Sequence, residues 1–216
     1  MTERTLRQIE QGRVIAILRG DFGGREAEIV EVLVEAGVRA VEVTLNSPGA
    51  FKSIENLATR FGLNTAIGAG TVLEPEEVEA ATNAGAQFIV SPNLNLNVID
   101  VTRRLNLVSL PGCFTPSEII EAIAAGAHAV KLFPASCLGP SFLKAMGGPL
   151  QGAQLVPVGG VTPQSAREYF VAGAWAIGAG SELIGKEITA PGGLDSLRAR
   201  ALEYVAAAGM KDKDKG

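Results

Sequence analysis

Two hydrophobic periods take turns along this chain, one of two residues and one near 3.6. Short runs rich in Val, Ile, Leu and Ala recur at 14–18, 40–45, 65–70, 88–92, 107–112, 129–134, 155–160 and 175–180. Their starts lie roughly 19 to 26 residues apart, close to the minimum for a strand–helix unit with short connections. The segments between them space apolar residues for a helix, as in Ala27, Val30, Leu33 and Val34, with Glu26, Glu28, Glu31 and Glu35 on the other faces. Helix starts carry fitting chemistry at Glu74-Pro75, Thr115-Pro116 and Thr162-Pro163, where a first-turn proline needs no hydrogen-bond partner.

A weak repeat reinforces this reading. EAGVRAVEV, NAGAQFIV, AAGAHAVKL and VAGAWAIGA each place Ala-Gly directly ahead of a strand, so Gly37, Gly85, Gly126 and Gly173 fit the left-handed position after a helix. They fall in alternate units. Eight near-equal units predict an α/β chain closed into a (β/α)8 TIM barrel, with an open doubly wound sheet as the rival. Residues 2–11 are expected to form a helix capping the barrel bottom, and 194–208 the last outer helix. One domain is expected over 1–210, followed by a disordered charged tail at 211–216, KDKDKG.

Composition then narrows the function. With 216 residues, 47% apolar and 19% charged side chains and a net charge of −4, the chain has material for a sizeable core and no broad cationic surface. Nucleic-acid and anionic-membrane partners are not expected; a small-molecule partner is. No apolar stretch approaches the ~20 residues of a membrane span, and the charged start lacks an apolar core, which places the protein in the cytoplasm. Two cysteines, Cys113 and Cys137, suggest no disulfide framework and read as buried small apolar residues. The single histidine, His128, cannot supply a multi-imidazole zinc site, although carboxylates can still hold magnesium through water, so no metal is expected rather than excluded.

Two strands carry charges that a sheet covered on both faces has no routine reason to hold. In the 40–45 run the period of two sets Val41, Val43 and Leu45 against Ala40, Glu42 and Thr44; in the 129–134 run it sets Val130 and Leu132 against Ala129, Lys131 and Phe133. With the aliphatic faces toward the helices, Glu42 and Lys131 point inward. The bland alternative is a buried ion pair that fills space, an arrangement whose desolvation cost makes it weak as a stabiliser. The functional alternative is an amine that is sometimes neutral and attacks a ketone to form a Schiff base, beside a carboxylate that moves protons. Burial lowers a lysine's pKa while an ionised neighbour raises it, and the sequence leaves that balance open.

Arg19 closes the first strand, where a guanidinium either grips a carboxylate with two parallel hydrogen bonds or is a solvated rim charge. Thr71, after 67–70, is a further rim candidate. Glycine pairs end the last two strands, at Gly159-Gly160 and at Gly178 and Gly180 before Ser181. Exposed backbone amides there suit a phosphate, the usual ligand of loops seven and eight in such barrels, and tight turns are the alternative.

The blocks AILRG at 16–20, VEVTLNSP at 41–48, IGAGTVL at 67–73, AGAQFIVSPN at 84–93, PGCFTP at 111–116, AVKLFPAS at 129–136 and VGGVTP at 158–163 resemble the 2-keto-3-deoxy-6-phosphogluconate and 2-keto-3-deoxy-6-phosphogalactonate aldolases, a class I, Schiff-base family. The resemblance implies Lys131 as the Schiff-base lysine and Glu42 as the general acid/base. It implies Arg19, Thr71, Asn46, Pro92 and Phe133 around the pyruvate portion, and Gly159, Gly160, Gly180 and Ser181 around the phosphate. It also implies a homotrimer without cofactor, acting on a phosphorylated keto-deoxy sugar acid and pyruvate. One departure bears on substrate: gluconate-type members commonly have TLRT after the glutamate, whereas this chain has Asn46 in TLNSP, similar to the galactonate type. A sugar-phosphate isomerase or epimerase on the same scaffold, and a noncatalytic phosphosugar-binding barrel, are the competing readings.

Overall fold

The computed structural model describes residues 1–209; the charged tail expected at 211–216 lies outside them. Strands and helices alternate from the first helix onward. The order is α1 (Thr2–Gly12), β1 (Val14–Leu18), α2 (Glu26–Glu35), β2 (Ala40–Thr44), α3 (Ala50–Phe61), β3 (Ala66–Gly70), α4 (Pro75–Asn83), β4 (Phe88–Val90) and α5 (Leu96–Arg104). It continues with β5 (Val108–Leu110), β6 (Gly112–Cys113), α6 (Pro116–Ala124), β7 (Val130–Leu132), α7 (Ala135–Met146), β8 (Leu155–Pro157), α8 (Pro163–Val171), β9 (Ile177–Ala179), a 3-10 helix (Lys186–Thr189) and α9 (Gly193–Gly209).

Local chemistry explains where these helices begin and end. Glu74, Thr115 and Thr162 each cap a helix reciprocally with the residue three positions on, ahead of a proline in the first turn. The four Ala-Gly repeats end helices as the sequence suggests, with Gly37, Gly85, Gly126 and Gly173 all at positive φ. The helix α7 is broken at Gly139 (φ 71) and Pro140, since a proline ring and a missing amide interrupt the helical ladder.

The expected closed eight-stranded TIM barrel is not what these strands build. Every pairing is parallel, but the strands form a six-stranded half-barrel sheet in the order β5-β4-β3-β2-β1-β9 and a separate three-stranded sheet, β6-β7-β8. Pro111 supplies the physical reason for one break. It has no amide to donate, so the run read as a single strand over 107–112 divides into β5 and β6, although the Pro111 carbonyl still accepts from the Lys131 amide at 2.9 Å. The other break follows Pro157, where positive φ at Gly159 (98°) and Gly160 (71°) turns the chain away and leaves one isolated bridge, Val158 to Gly178, between β8 and β9.

Two cores follow from the alternation of side chains. An outer one packs Val41, Val43, Ile67, Val130 and Leu132 against the helices. An inner one gathers Ile15, Ile17, Ala40, Ala66, Phe88, Val108, Ala129 and Val156 from both sheets, with Ile9 of α1. The capping helix is held at this end by side-chain bonds from Thr2 to the Asn106 carbonyl (2.6 Å) and from Gln8 to the Leu63 carbonyl (3.1 Å). Phe88 is the largest member of the small inner core and is fully buried, with its ring lying over Gly68. Truncating it leaves a cavity that flanking strands cannot close, so Phe88→Ala is expected to cost about 3 to 5 kcal/mol in urea unfolding, and a loss under about 1 kcal/mol would contradict this view of the core.

Candidate active site

Strand alternation delivers two ionisable groups to the interior. Glu42 shares the Ala40 face of β2, and Lys131 the Ala129 face of β7; they are 2% and 3% exposed. They come from different sheets and are not within ion-pair distance of one another. Oε1 of Glu42 has no hydrogen-bond partner. The Lys131 ammonium position lies 4.8 Å from the centre of the Phe133 ring, a cation–π distance.

The balance that the sequence leaves open is decided by burial. Desolvation pushes the Glu42 carboxyl above its ordinary range, against the pull of Lys131 and then Arg19. Desolvation likewise pushes the Lys131 amine below its ordinary range; Glu42 opposes this and Arg19 adds to it. Both shifts favour the uncharged forms. The amine is therefore a better nucleophile, and the carboxyl a better proton carrier near neutral pH, than solvent-exposed counterparts.

Arg19 is exposed at the end of β1 and spans two neighbouring loops. Its Nη1 donates to Asn46 Oδ1 at 3.2 Å and its Nη2 to Thr71 Oγ1 at 3.3 Å. The loop carrying Asn46 is itself fixed, because Ser47 Oγ accepts from the Gly20 amide at 3.0 Å and shares a hydrogen bond with Thr44 Oγ1 at 2.9 Å. Thr71 has φ 58, a left-handed conformation unusual for a β-branched residue.

A cavity of about 590 Å³ opens beside this cluster. Arg19, Lys131 and Phe133 line one part and Gly159, Gly160, Gly180 and Ser181 another. The glycine pair is also a tight turn: its backbone is bonded to the loop that follows Phe133, through the Ala135 amide to the Val158 carbonyl (2.8 Å) and the Ser136 amide to the Gly159 carbonyl (3.1 Å). Glu42, Asn46 and Thr71 lie outside the cavity lining, joined to it through Arg19 and the buried strand ends. Pro92 is likewise outside the lining, half-buried just beyond β4 with its carbonyl close to Gly112.

Residues that sequence reasoning missed also line the cavity, among them Asp21, Phe22, Lys186 and Thr189. The last two belong to the 3-10 helix, a segment with neither strand nor helix periodicity; its place after the final strand was the available signal. The helix is anchored by Arg200, whose Nε donates to the Leu183 carbonyl at 2.7 Å and whose Nη1 pairs with Glu187 at 2.5 Å.

A separate cavity of about 640 Å³ lies at the opposite ends of the strands, lined by Ile120, Ile123, Leu150 and His128. The His128 Nδ1 accepts from the Ser109 amide at 3.1 Å and burial lowers the imidazole's pKa, so the ring is held in a structural role. Cys113 is buried, its thiol pushed up to about 12, whereas Cys137 is exposed, contrary to the expectation that both are buried. Among the described residues no group of three or more His, Cys, Asp or Glu is placed to hold a metal, and no helix is long and apolar enough to cross a membrane.

Residues 6–199 match the KDPG and KHG aldolase family. The chain belongs to this aldolase family. It is 40% identical over 196 residues, 90% of each chain, to a probable 2-dehydro-3-deoxy-6-phosphogalactonate aldolase of Rhizobium meliloti. It is 41% identical over 171 residues, 79% of this chain and 83% of the other, to the 2-dehydro-3-deoxy-6-phosphogalactonate aldolase of Escherichia coli. A solved structure described as native KDPGal superposes with a TM-score of 0.84 at 37% identity, covering 90% of this chain and 93% of that one. The chain is thus a carbon–carbon lyase of the KDPG and KHG aldolase family.

The left-handed Thr71 gives a test independent of catalysis. Alanine ordinarily outranks glycine in ordered structure, but at this φ a β-carbon is penalised, so Thr71→Gly is expected to be more stable than Thr71→Ala by about 1 kcal/mol in urea unfolding. The usual order, alanine above glycine, would contradict the assigned backbone conformation.

Proposed function

We propose that this family member is a class I aldolase that reversibly cleaves a 2-keto-3-deoxy-6-phospho-aldonate to pyruvate and D-glyceraldehyde 3-phosphate through a Schiff base on Lys131. The observation that carries the reading is a lysine 3% exposed, shifted toward its neutral form by burial, within the electrostatic influence of the buried Glu42 carboxyl. Neutral Nζ adds to the C2 ketone to give a carbinolamine, which takes up one proton from solvent and loses water to form a protonated imine. Glu42 accepts the C4 hydroxyl proton as the C3–C4 bond breaks. The bond's electron pair enters the imine to give an enamine, and the aldehyde departs. Glu42 returns the proton to C3, and water hydrolyses the resulting protonated imine to release pyruvate, restore the neutral amine and give back to solvent the proton taken up at dehydration. Each proton and electron pair is accounted for without metal or cofactor.

The remaining residues take positioning roles in this reading. Arg19, steadied by Asn46 and Thr71, holds the substrate carboxylate; Phe133 packs beside the reacting lysine. The amides around Gly159, Gly160, Gly180 and Ser181 receive the phosphate, so that binding energy far from the reacting carbons places them against Lys131. Pro92, half-buried just beyond β4, keeps the place around the pyruvate portion that the family resemblance implies. Asn46, together with identities of 40% and 41% to relatives named for the galactonate substrate against 32% to the KHG/KDPG aldolase of Escherichia coli, supports a galactonate-type preference. A single catalytic domain over 1–210 rests on the succession of near-equal strand–helix units, and its working as a homotrimer on the family resemblance.

Borohydride reduction in the presence of pyruvate is expected to add a stable mass to Lys131 that Lys131→Ala abolishes. Unmodified protein at saturating pyruvate would sink the mechanism and favour a sugar-phosphate isomerase or epimerase. Glu42→Gln is expected to keep the pyruvate adduct while losing about a hundredfold or more in cleavage rate, the usual share of a general acid/base; parallel loss of both would place Glu42 in folding rather than proton transfer. Between the two C4 epimers, the galactonate substrate is expected to have the higher kcat/KM, by about tenfold, and a faster gluconate epimer would reverse the assignment.

A further inference from the structure

The IGAGTVL block holds two glycines, in β3, to which the chemistry above gives no role. Alternation puts Ala66, Gly68 and Gly70 on the inner face of that strand, with Ile67 and Ala69 toward the helices. Gly68 lies under Phe88, where a β-carbon would fall 2.5 Å from the ring. Gly70 lies under Glu42, where a β-carbon would overlap Oε1 and the carboxyl carbon outright.

The register explains this meeting. Glu42 pairs with Gly68, and Gly70 with Thr44, so the Glu42 side chain leans one pleat along the strands to reach Gly70. Neither backbone has room to yield: β3 is paired on one side with β2 and on the other with β4, and the Gly70 carbonyl accepts from the Leu45 amide at 2.8 Å. The carboxyl that fills the notch is 2% exposed, with Oε1 unpartnered. A buried acceptor left unsatisfied demands an explanation, and proton transfer to a substrate oxygen is one.

The geometry points to Gly70 as the positioning residue of Glu42: its missing side chain is the slot that seats the proton-carrying carboxyl, free of internal hydrogen bonds at Oε1 and out of ion-pair contact with Lys131. The inference rests on the proposed role of Glu42. An alanine here would force the carboxyl to swing away from its seat without touching Lys131, so the imine step and the proton-transfer step would separate.

The test is a cycle of Gly70→Ala, Glu42→Asp and the double variant in the full chain, with turnover of the 2-keto-3-deoxy-6-phospho-aldonate and borohydride trapping of pyruvate as separate readouts. Gly70→Ala is expected to lower kcat about a hundredfold while still trapping pyruvate on Lys131, and to shift the acid limb of the kcat–pH profile downward as the carboxyl leaves its dry seat. Aspartate is one carbon shorter, so the double variant is expected to exceed Gly70→Ala in kcat. A kcat within about threefold of the parent, or a double variant slower than either single one, would overturn the proposal. If Gly70→Ala does not fold, Glu42→Ala/Gly70→Ala is expected to fold, because it removes the overlapping carboxyl; its failure to recover would overturn the proposal equally. A parent protein that traps no pyruvate would instead contradict the Schiff-base reading.

Discussion

Everything in this molecule is arranged around the cost of keeping an amine and a carboxyl dry without letting them neutralise each other. A direct ion pair between Lys131 and Glu42 would hold both in their charged forms, whereas separation inside the protein lets desolvation dominate each. That separation is a product of the fold. The two residues sit on inner faces of different sheets, Glu42 beside Ala40 and Lys131 beside Ala129. The Phe133 ring offers the lysine an interaction that weakly favours its cationic form without fixing a proton as a carboxylate would.

The breaks in the sheets serve the same end. Where Pro111 interrupts the ladder, its carbonyl turns to the Lys131 amide and anchors the strand that carries the lysine. Where Gly159 and Gly160 end the other side of that small sheet, the chain turns into the cavity wall and is hydrogen-bonded to the loop beyond Phe133. Lys131 and Phe133 lie at one strand end, and the turn at Gly159 and Gly160 is hydrogen-bonded to the loop that follows them. Arg19, on the other sheet, ties together the loops after β2 and β3 through Asn46 and Thr71, so that both sheets contribute to the lining of one cavity.

Much of this was legible in the chain. Period-two alternation placed Val41 and Val43 outward, and Pro-containing helix starts located three reciprocal caps, because both signals depend on neighbours a few residues away. What escaped was tertiary. Eight apolar runs predict eight closing strands, yet a proline inside the fifth run and a glycine pair at the end of the seventh divide the ladder into two sheets. Lys186 and Thr189 reach the cavity from a segment with no periodicity, and the seat under Glu42 exists only because β2 and β3 pair in one register.

The most direct test of the central claim is the titration of Lys131 itself, followed by NMR of its labelled side chain in the ligand-free protein. The account requires a midpoint below the value of about 10.4 for an ordinary lysine, and a further fall in Glu42→Gln, where the opposing charge is gone. A midpoint at or above that of the surface lysines, or one that rises in Glu42→Gln, would mean that attraction rather than desolvation governs the pair.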